Sequence, residues 1–160
     1  SGDIGLVIES VVKEVARAAK NKGLKVEWQR PTDDLHADFD EEKIRNAIFN
    51  FVDNAIKYSE RGIIRVLATP EYDGILVRVS DEGLGFDKSD DDKLFQKFQR
   101  GDNARQYEVN TSTGLGLYIA RMFVEGHGGR VAAKSAGPGL GCEFSLWIPR
   151  KVVIQEEGSG

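Results

Sequence analysis

The chain has 160 residues, 40% of them hydrophobic and 30% charged, with a formal net charge of -4. That length supports one domain with a single core, and the acidic balance excludes a global positive field that would gather nucleic acid. Cys142, the lone cysteine, cannot form an internal disulfide, and no Cys and His cluster has zinc-ligand spacing; both fit a reducing compartment, with the cytoplasm as the expected location.

Residues 1–3 and 151–160 ("KVVIQEEGSG") read as a flanking remnant and a tail or linker around a domain spanning 4–150. No apolar run approaches the roughly 18 residues of a membrane span. From Ile4 to Asn21, apolar residues recur at helical spacing, and Gly23 is placed to end that helix. "LKVEWQR" (24–30) alternates as a half-buried strand does, and "LHADF" (35–39) predicts a second short strand. Asp40 then reads as the N-cap of a helix to about Tyr58, with Glu41 and Glu42 in its first turn. "IIRVLAT" and "ILVRVS" flank "PEYDG", whose Asp-Gly pair signals a turn, so 63–80 is expected to be an antiparallel hairpin. Residues 87–113 carry little regular pattern and suggest a lid. "GLGLYIARMFVEGHGG" predicts a third helix, apolar at Leu117, Ile119, Ala120, Phe123 and Val124, and "RVAAKSA" and "CEFSLWIP" predict two last strands. The expected fold is α+β: a two-layer α/β sandwich with three helices on one face of a mixed, mostly antiparallel sheet.

Three stretches carry chemistry. In "NFVDNAIKYS" (50–59), Asn50, Asn54 and Lys57 are spaced by four and three residues, about 400° and 300° of helical rotation, and so share a narrow strip. Buried carboxamides need partners, water or a ligand, although a solvated helix face accounts for the strip equally well. "DEGLGF" (81–86) sets an acid at the end of a strand before Gly-x-Gly, where a carboxylate can accept from an exocyclic amine; such loops are also ordinary turns. "TSTGLGLYIAR" (111–121) places glycines at a helix start, where free N–H groups suit phosphate. The Walker pattern is absent, as is a Rossmann unit with its distal acid.

Read together and in order, these stretches resemble the ATP-binding catalytic domain of sensor histidine kinases, within the superfamily of DNA gyrase, the heat-shock 90 chaperones and MutL, whose fold is the Bergerat type. "NFVDNAIKYS" is similar to the N box, "DEGLGF" to the first glycine box, "LFQKFQRG" to the F box, "STGLGLYIAR" to the second glycine box and "GPGLGCEF" to the third, with "EGHGG" in its usual place.

The resemblance implies an ATP and Mg²⁺ site. Asn54, assisted by Asn50, would offer oxygen to Mg²⁺. Lys57 would approach the phosphates and Tyr58 would pack beside the nucleotide. Asp81 would bind the adenine amino group, Gly83 and Gly85 would shape the pocket, and Phe95 and Phe98 would anchor the lid. Arg100 would reach the terminal phosphates, while Thr113, Gly114, Leu115, Gly116 and Leu117 would close over the triphosphate. Cys142 stands where the family usually has Thr or Ser, and a thiol there weakens a water-mediated adenine contact or acts as a small buried hydrophobe.

Asn50 stands where the superfamily's ATPases have a glutamate, and an amide cannot be that general base; Asn50, Lys57 and Arg100 are therefore expected to serve transfer to a histidine. Neither His36 nor His127 has the acceptor context, so the acceptor would lie on a separate dimerisation domain of a homodimeric parent, with a response regulator downstream. Two alternatives share this pocket: a nucleotide-sensing module without transfer, and an anti-sigma-type serine kinase.

Overall fold

In the computed structural model, residues 1–83 and 115–151 are described. The elements run β1 (Gly2–Asp3), α1 (Ile4–Asn21), β2 (Leu24–Trp28), β3 (His36–Ala37), α2 (Glu41–Tyr58), β4 (Gly62–Glu71), β5 (Gly74–Asp81), α3 (Leu115–Gly126), β6 (Arg130–Lys134) and β7 (Cys142–Pro149). The main sheet has the order β2-β4-β5-β7-β6. Only β2 and β4 pair in parallel; the other neighbours are antiparallel.

Alternation along the strands sends one face to the helices. Ile64, Val66 and Ala68 of β4, Ile75, Val77 and Val79 of β5, and Phe144, Leu146 and Ile148 of β7 are buried against Val7, Ile8 and Val11 of α1 and Ile44, Ile48, Phe51 and Val52 of α2. The intervening residues, such as Arg65 and Leu67, face the other way and are exposed. This is the expected sandwich, its helices all on the sheet's apolar side. No helix among the described residues is long and apolar enough to cross a membrane.

The helix ends follow their local chemistry. Asp40 accepts the Lys43 N–H at 3.0 Å as the N-cap of α2, and Gly23 follows α1 with φ 77°. At the other end of α2, Lys22 extends its ammonium to the carbonyls of Ile56 (2.6 Å) and Lys57 (2.7 Å). Partial burial there lowers the Lys22 pKa, a nearby Glu60 acting in the opposite sense.

Four expectations are adjusted. Gly2 and Asp3, set outside the domain by sequence, pair with Ala37 and His36, and Asp3 N-caps α1 by accepting from Gly5. The segment 35–39 is strand only at His36–Ala37, and its partner is β1. In the hairpin, Glu71 pairs with Gly74, so the turn is Tyr72-Asp73. Tyr72 carries the positive φ (54°). Gly74 is needed for close approach, since a Cβ there would lie 2.3 Å from the Ile148 carbonyl oxygen and 2.4 Å from the Trp147 ring. On α3, Ala120 and Val124 are fully buried but Ile119 is exposed.

Candidate functional site

Both halves of the site are built on α2. At its C-terminal end the chain turns through Ser59 and meets the end of β5. Gly83 lies so close that a Cβ would stand 2.4 Å from the Tyr58 carbonyl oxygen and 3.0 Å from Ser59 Oγ. The Gly83 N–H donates to Asp81 Oδ1 at 2.8 Å, while the Cys142 thiol donates to Asp81 Oδ2 at 3.1 Å. Sheet register places them there, because Asp81 is opposite Cys142 in the β5–β7 ladder. Burial pushes the Asp81 pKa up, with the thiol and the two backbone N–H groups of Gly83 and Cys142 offsetting part of the rise. Burial and the adjacent Asp81 charge push the Cys142 thiol far upward, so it stays protonated and serves as a donor.

The glycine-rich loop before β7 closes this end. Ser135 Oγ, buried, donates to the Gly141 carbonyl at 2.7 Å and accepts the Gly137 N–H at 3.1 Å. Gly141 (φ 74°) then donates its N–H to the Gly83 carbonyl at 3.0 Å. Ser59 is buried, and among the described residues its hydroxyl has no hydrogen-bond partner; an unpaired buried hydroxyl costs about 1–3 kcal/mol. Sequence reasoning passed over Ser59 and Ser135; a serine flanking each motif was the available signal.

Two turns back along α2, Asn50 meets the start of α3. Its Nδ2 donates to the Asn46 carbonyl (2.9 Å) and to Asn46 Oδ1 (2.8 Å). The amide is thereby oriented with Oδ1 toward α3, where it would lie 2.7 Å from a Cβ on Gly116. Leu115, Gly116 and Leu117 form the first turn of α3, all half-buried. Asn54 is half-buried on the same strip of α2. Lys57 is ion-paired with Asp53 at 3.0 Å, one turn back. Gly85, Phe95, Phe98, Arg100, Thr113 and Gly114, and the expected lid at 87–113, lie outside the described residues.

The described residues hold no group of three or more His, Cys, Asp or Glu able to ligate a metal alone. Mg²⁺ is a hard cation that keeps several waters and is commonly held by one or two protein oxygens together with substrate phosphates. The oriented Asn50 Oδ1 and the neighbouring Asn54 suit that mode of binding.

The amide-lined helix facing a glycine helix start and the buried carboxylate at the end of the central strand stand where the sequence resemblance sets a nucleotide, and comparison with known proteins gives the class: an ATP-binding catalytic domain. Residues 39–152 match the family described as histidine kinase-, DNA gyrase B-, and HSP90-like ATPase. The chain is 37% identical over 119 residues to the circadian input-output histidine kinase CikA of Synechococcus elongatus, covering 72% of this chain and 15% of that protein. It is 36% identical over 124 residues to the sensor histidine kinase WalK of Bacillus subtilis (76% and 20%), and 30% over 154 residues to WalK of Staphylococcus aureus (94% and 36%).

Among solved structures, full-length ShkA in complex with AMPPNP matches with a TM-score of 0.77 and 25% identity, over 95% of this chain and 31% of that one. The nucleotide-free catalytic domain of histidine kinase ThkA shares the fold, with a TM-score of 0.80 and 24% identity over 94% of each chain. The chain belongs to the histidine kinase-, gyrase B- and HSP90-like ATPase family, and its curated relatives are sensor histidine kinases. It spans between 15% and 36% of the length of those relatives.

Proposed function

We propose that this domain binds Mg-ATP and transfers the γ-phosphate to a histidine on a separate dimerisation domain, the first step of two-component signalling. The observation that carries this reading is the fixed Asn50 amide: its NH₂ is spent on Asn46, and its oxygen faces Gly116 of α3. An amide cannot take a proton from water, so hydrolysis is slow and bound ATP persists for another nucleophile. Asp53, the nearby carboxylate, is held by Lys57.

Each residue then has a task. Asp81 accepts from the adenine amine, with Gly83 and Cys142 fixing its two oxygens, and Tyr58 packs beside the nucleotide. Asn50 and Asn54 present oxygen to Mg²⁺, which when bound neutralises charge across the phosphates. Lys57 exchanges Asp53 for phosphate oxygen, and Leu115, Gly116 and Leu117 approach the triphosphate by backbone. Gly85, Phe95, Phe98, Arg100, Thr113 and Gly114 complete the lid side by resemblance. An acceptor imidazole nitrogen attacks the γ-phosphorus in line, the bond to the bridging oxygen of ADP breaks, and ADP leaves with that electron pair.

His127 has both ring nitrogens engaged, and neither it nor His36 lies in the "H-E" context of an acceptor, which supports an acceptor on another segment. The partners are the histidine-bearing domain of a homodimeric parent and, indirectly, a response regulator. ATP as substrate and a lone cysteine that cannot form an internal disulfide support a cytoplasmic location. The test supplies a histidine-bearing domain and γ-labelled Mg-ATP. Acid-labile, base-stable phosphate on the acceptor is expected; acid-stable phosphoserine, or tight nucleotide binding with no transfer to any acceptor, overturns the reading.

A further inference from the structure

His127 lies just past α3, at the end of that helix opposite the 115–117 turn assigned to phosphate, and both of its ring nitrogens are used. Nδ1 stands 2.7 Å from the Phe123 carbonyl oxygen, one turn back on α3. Nε2 stands 2.9 Å from the backbone nitrogen of Asp40, the N-cap of α2. A carbonyl only accepts and a backbone N–H only donates. The two partners therefore select the neutral imidazole with its proton on Nδ1 and its lone pair on Nε2.

The consequence reaches the phosphate side because of how α2 and α3 pack. They run antiparallel with Ala120 and Val124 of α3 in the shared core, and three further contacts lie along the seam: Gly116 against Asn50, the Lys43 ammonium 5.8 Å from the Phe123 ring centre, and His127 on Asp40. The first has no side chain to hold it, since Gly116 is bare backbone. The middle one is a long, flexible lysine. Among these three, only the His127 bond is a directional hydrogen bond, joining the residue after α3 to the N-cap of α2, and it sits at the end opposite Gly116. A rigid helix transmits a shift at one end to the other, so the imidazole, acting with the buried Ala120 and Val124, helps set where the α3 start stands relative to Asn50 and Asn54.

We propose that His127 is a positioning residue for nucleotide binding: through Nε2 it holds α3 in register on α2, and thereby holds the Gly116 backbone at the distance from Asn50 that the triphosphate requires. This rests on the functional reading above. It goes further by giving the "GHGG" segment a task in affinity rather than in helix termination, which Gly128 (φ 81°) already performs.

Two substitutions separate the two bonds. His127→Gln keeps an acceptor long enough to reach the Asp40 N–H; His127→Asn keeps only a donor short enough for the Phe123 carbonyl. Mg-ADP affinity is measured by calorimetry on this chain and both variants, together with thermal unfolding and the imidazole nitrogen shifts of the unsubstituted protein. The nitrogen shifts are expected to show a neutral ring protonated on Nδ1. His127→Asn is expected to weaken Mg-ADP roughly fivefold, the scale of one lost hydrogen bond, with His127→Gln within about twofold of the parent. Both variants are expected to lose similar melting temperature. Equal weakening in both, unchanged affinity in His127→Asn, or a ring protonated on Nε2 overturns the proposal. A parent chain that binds no Mg-ADP at all overturns the functional reading itself, and this inference with it.

Discussion

Replacing Asp81 by asparagine separates what the carboxylate does for the ligand from what it does to the fold. The substitution keeps shape, and the amide oxygen can still accept the Gly83 N–H that Asp81 now receives at 2.8 Å. What goes is a charge whose burial raises its pKa, so the ionised carboxylate opposes folding at neutral pH. A group with a raised folded pKa contributes most below its unfolded value, and that contribution is lost as pH rises through the folded value. Asp81→Asn therefore raises the melting temperature of the nucleotide-free domain near pH 7, and the gap closes as acid protonates Asp81 in the parent. The opposing losses are the 3.1 Å thiol bond from Cys142, a weak donor, and the weakened acceptance from the Cys142 backbone N–H.

Binding moves the other way. The adenine amine loses a charge-assisted acceptor, worth about 1.5–3 kcal/mol, and an amide turned with its nitrogen outward sets donor against donor. At about 1.4 kcal/mol per decade, affinity for ADP falls by at least roughly tenfold and toward a hundredfold. Calorimetric titration and thermal melts between pH 4 and 7.5 read both effects. Near-unchanged ADP affinity would refute the adenine role, and a melting gap of constant size across that range would refute the burial argument.

Other perturbations isolate other parts. Gly116→Ala puts a methyl 2.7 Å from Asn50 Oδ1; the amide must leave Asn46, and Mg-ATP affinity is expected to drop about tenfold, the scale of a hydrogen bond to a charged ligand lost with its geometry, while adenosine affinity holds. Asp53→Asn releases Lys57 from its 3.0 Å partner at a stability cost below about 0.5 kcal/mol; ATP should bind more tightly with adenosine unaffected, and equal effects on both ligands in titration would contradict a phosphate role for Lys57. Gly74→Ala drives a Cβ into the Ile148 carbonyl and the Trp147 ring, which should cost about 1–3 kcal/mol in denaturant unfolding and leave ADP affinity at low temperature intact.

The helix and strand periods, the Asp40 cap and the order of the motifs were legible in the sequence because each rests on residues near one another in the chain. The amide strip on α2 was legible for the same reason: helical geometry alone places Asn50, Asn54 and Lys57 on one side. The hairpin at 62–81 was legible too, but not its turn, since an Asp-Gly pair reads as a turn until β7 is known to press on Gly74.

What required the third dimension was every contact between segments far apart. Lys22 on the end of α2, Cys142 on Asp81, Ser135 holding the loop that meets Gly83, and His127 on Asp40 join residues whose spacing carries no signal. Sequence by itself determined which side chains share one strip of α2 and which acid ends β5, because side-chain chemistry and helical period are local properties. Tertiary packing alone decided which distant groups meet them: the Asn46 and Asp53 partners of Asn50 and Lys57 sit one turn away on α2, whereas Gly116 against the Asn50 amide oxygen and the Cys142 thiol on Asp81 depend on which neighbour the folded chain supplies.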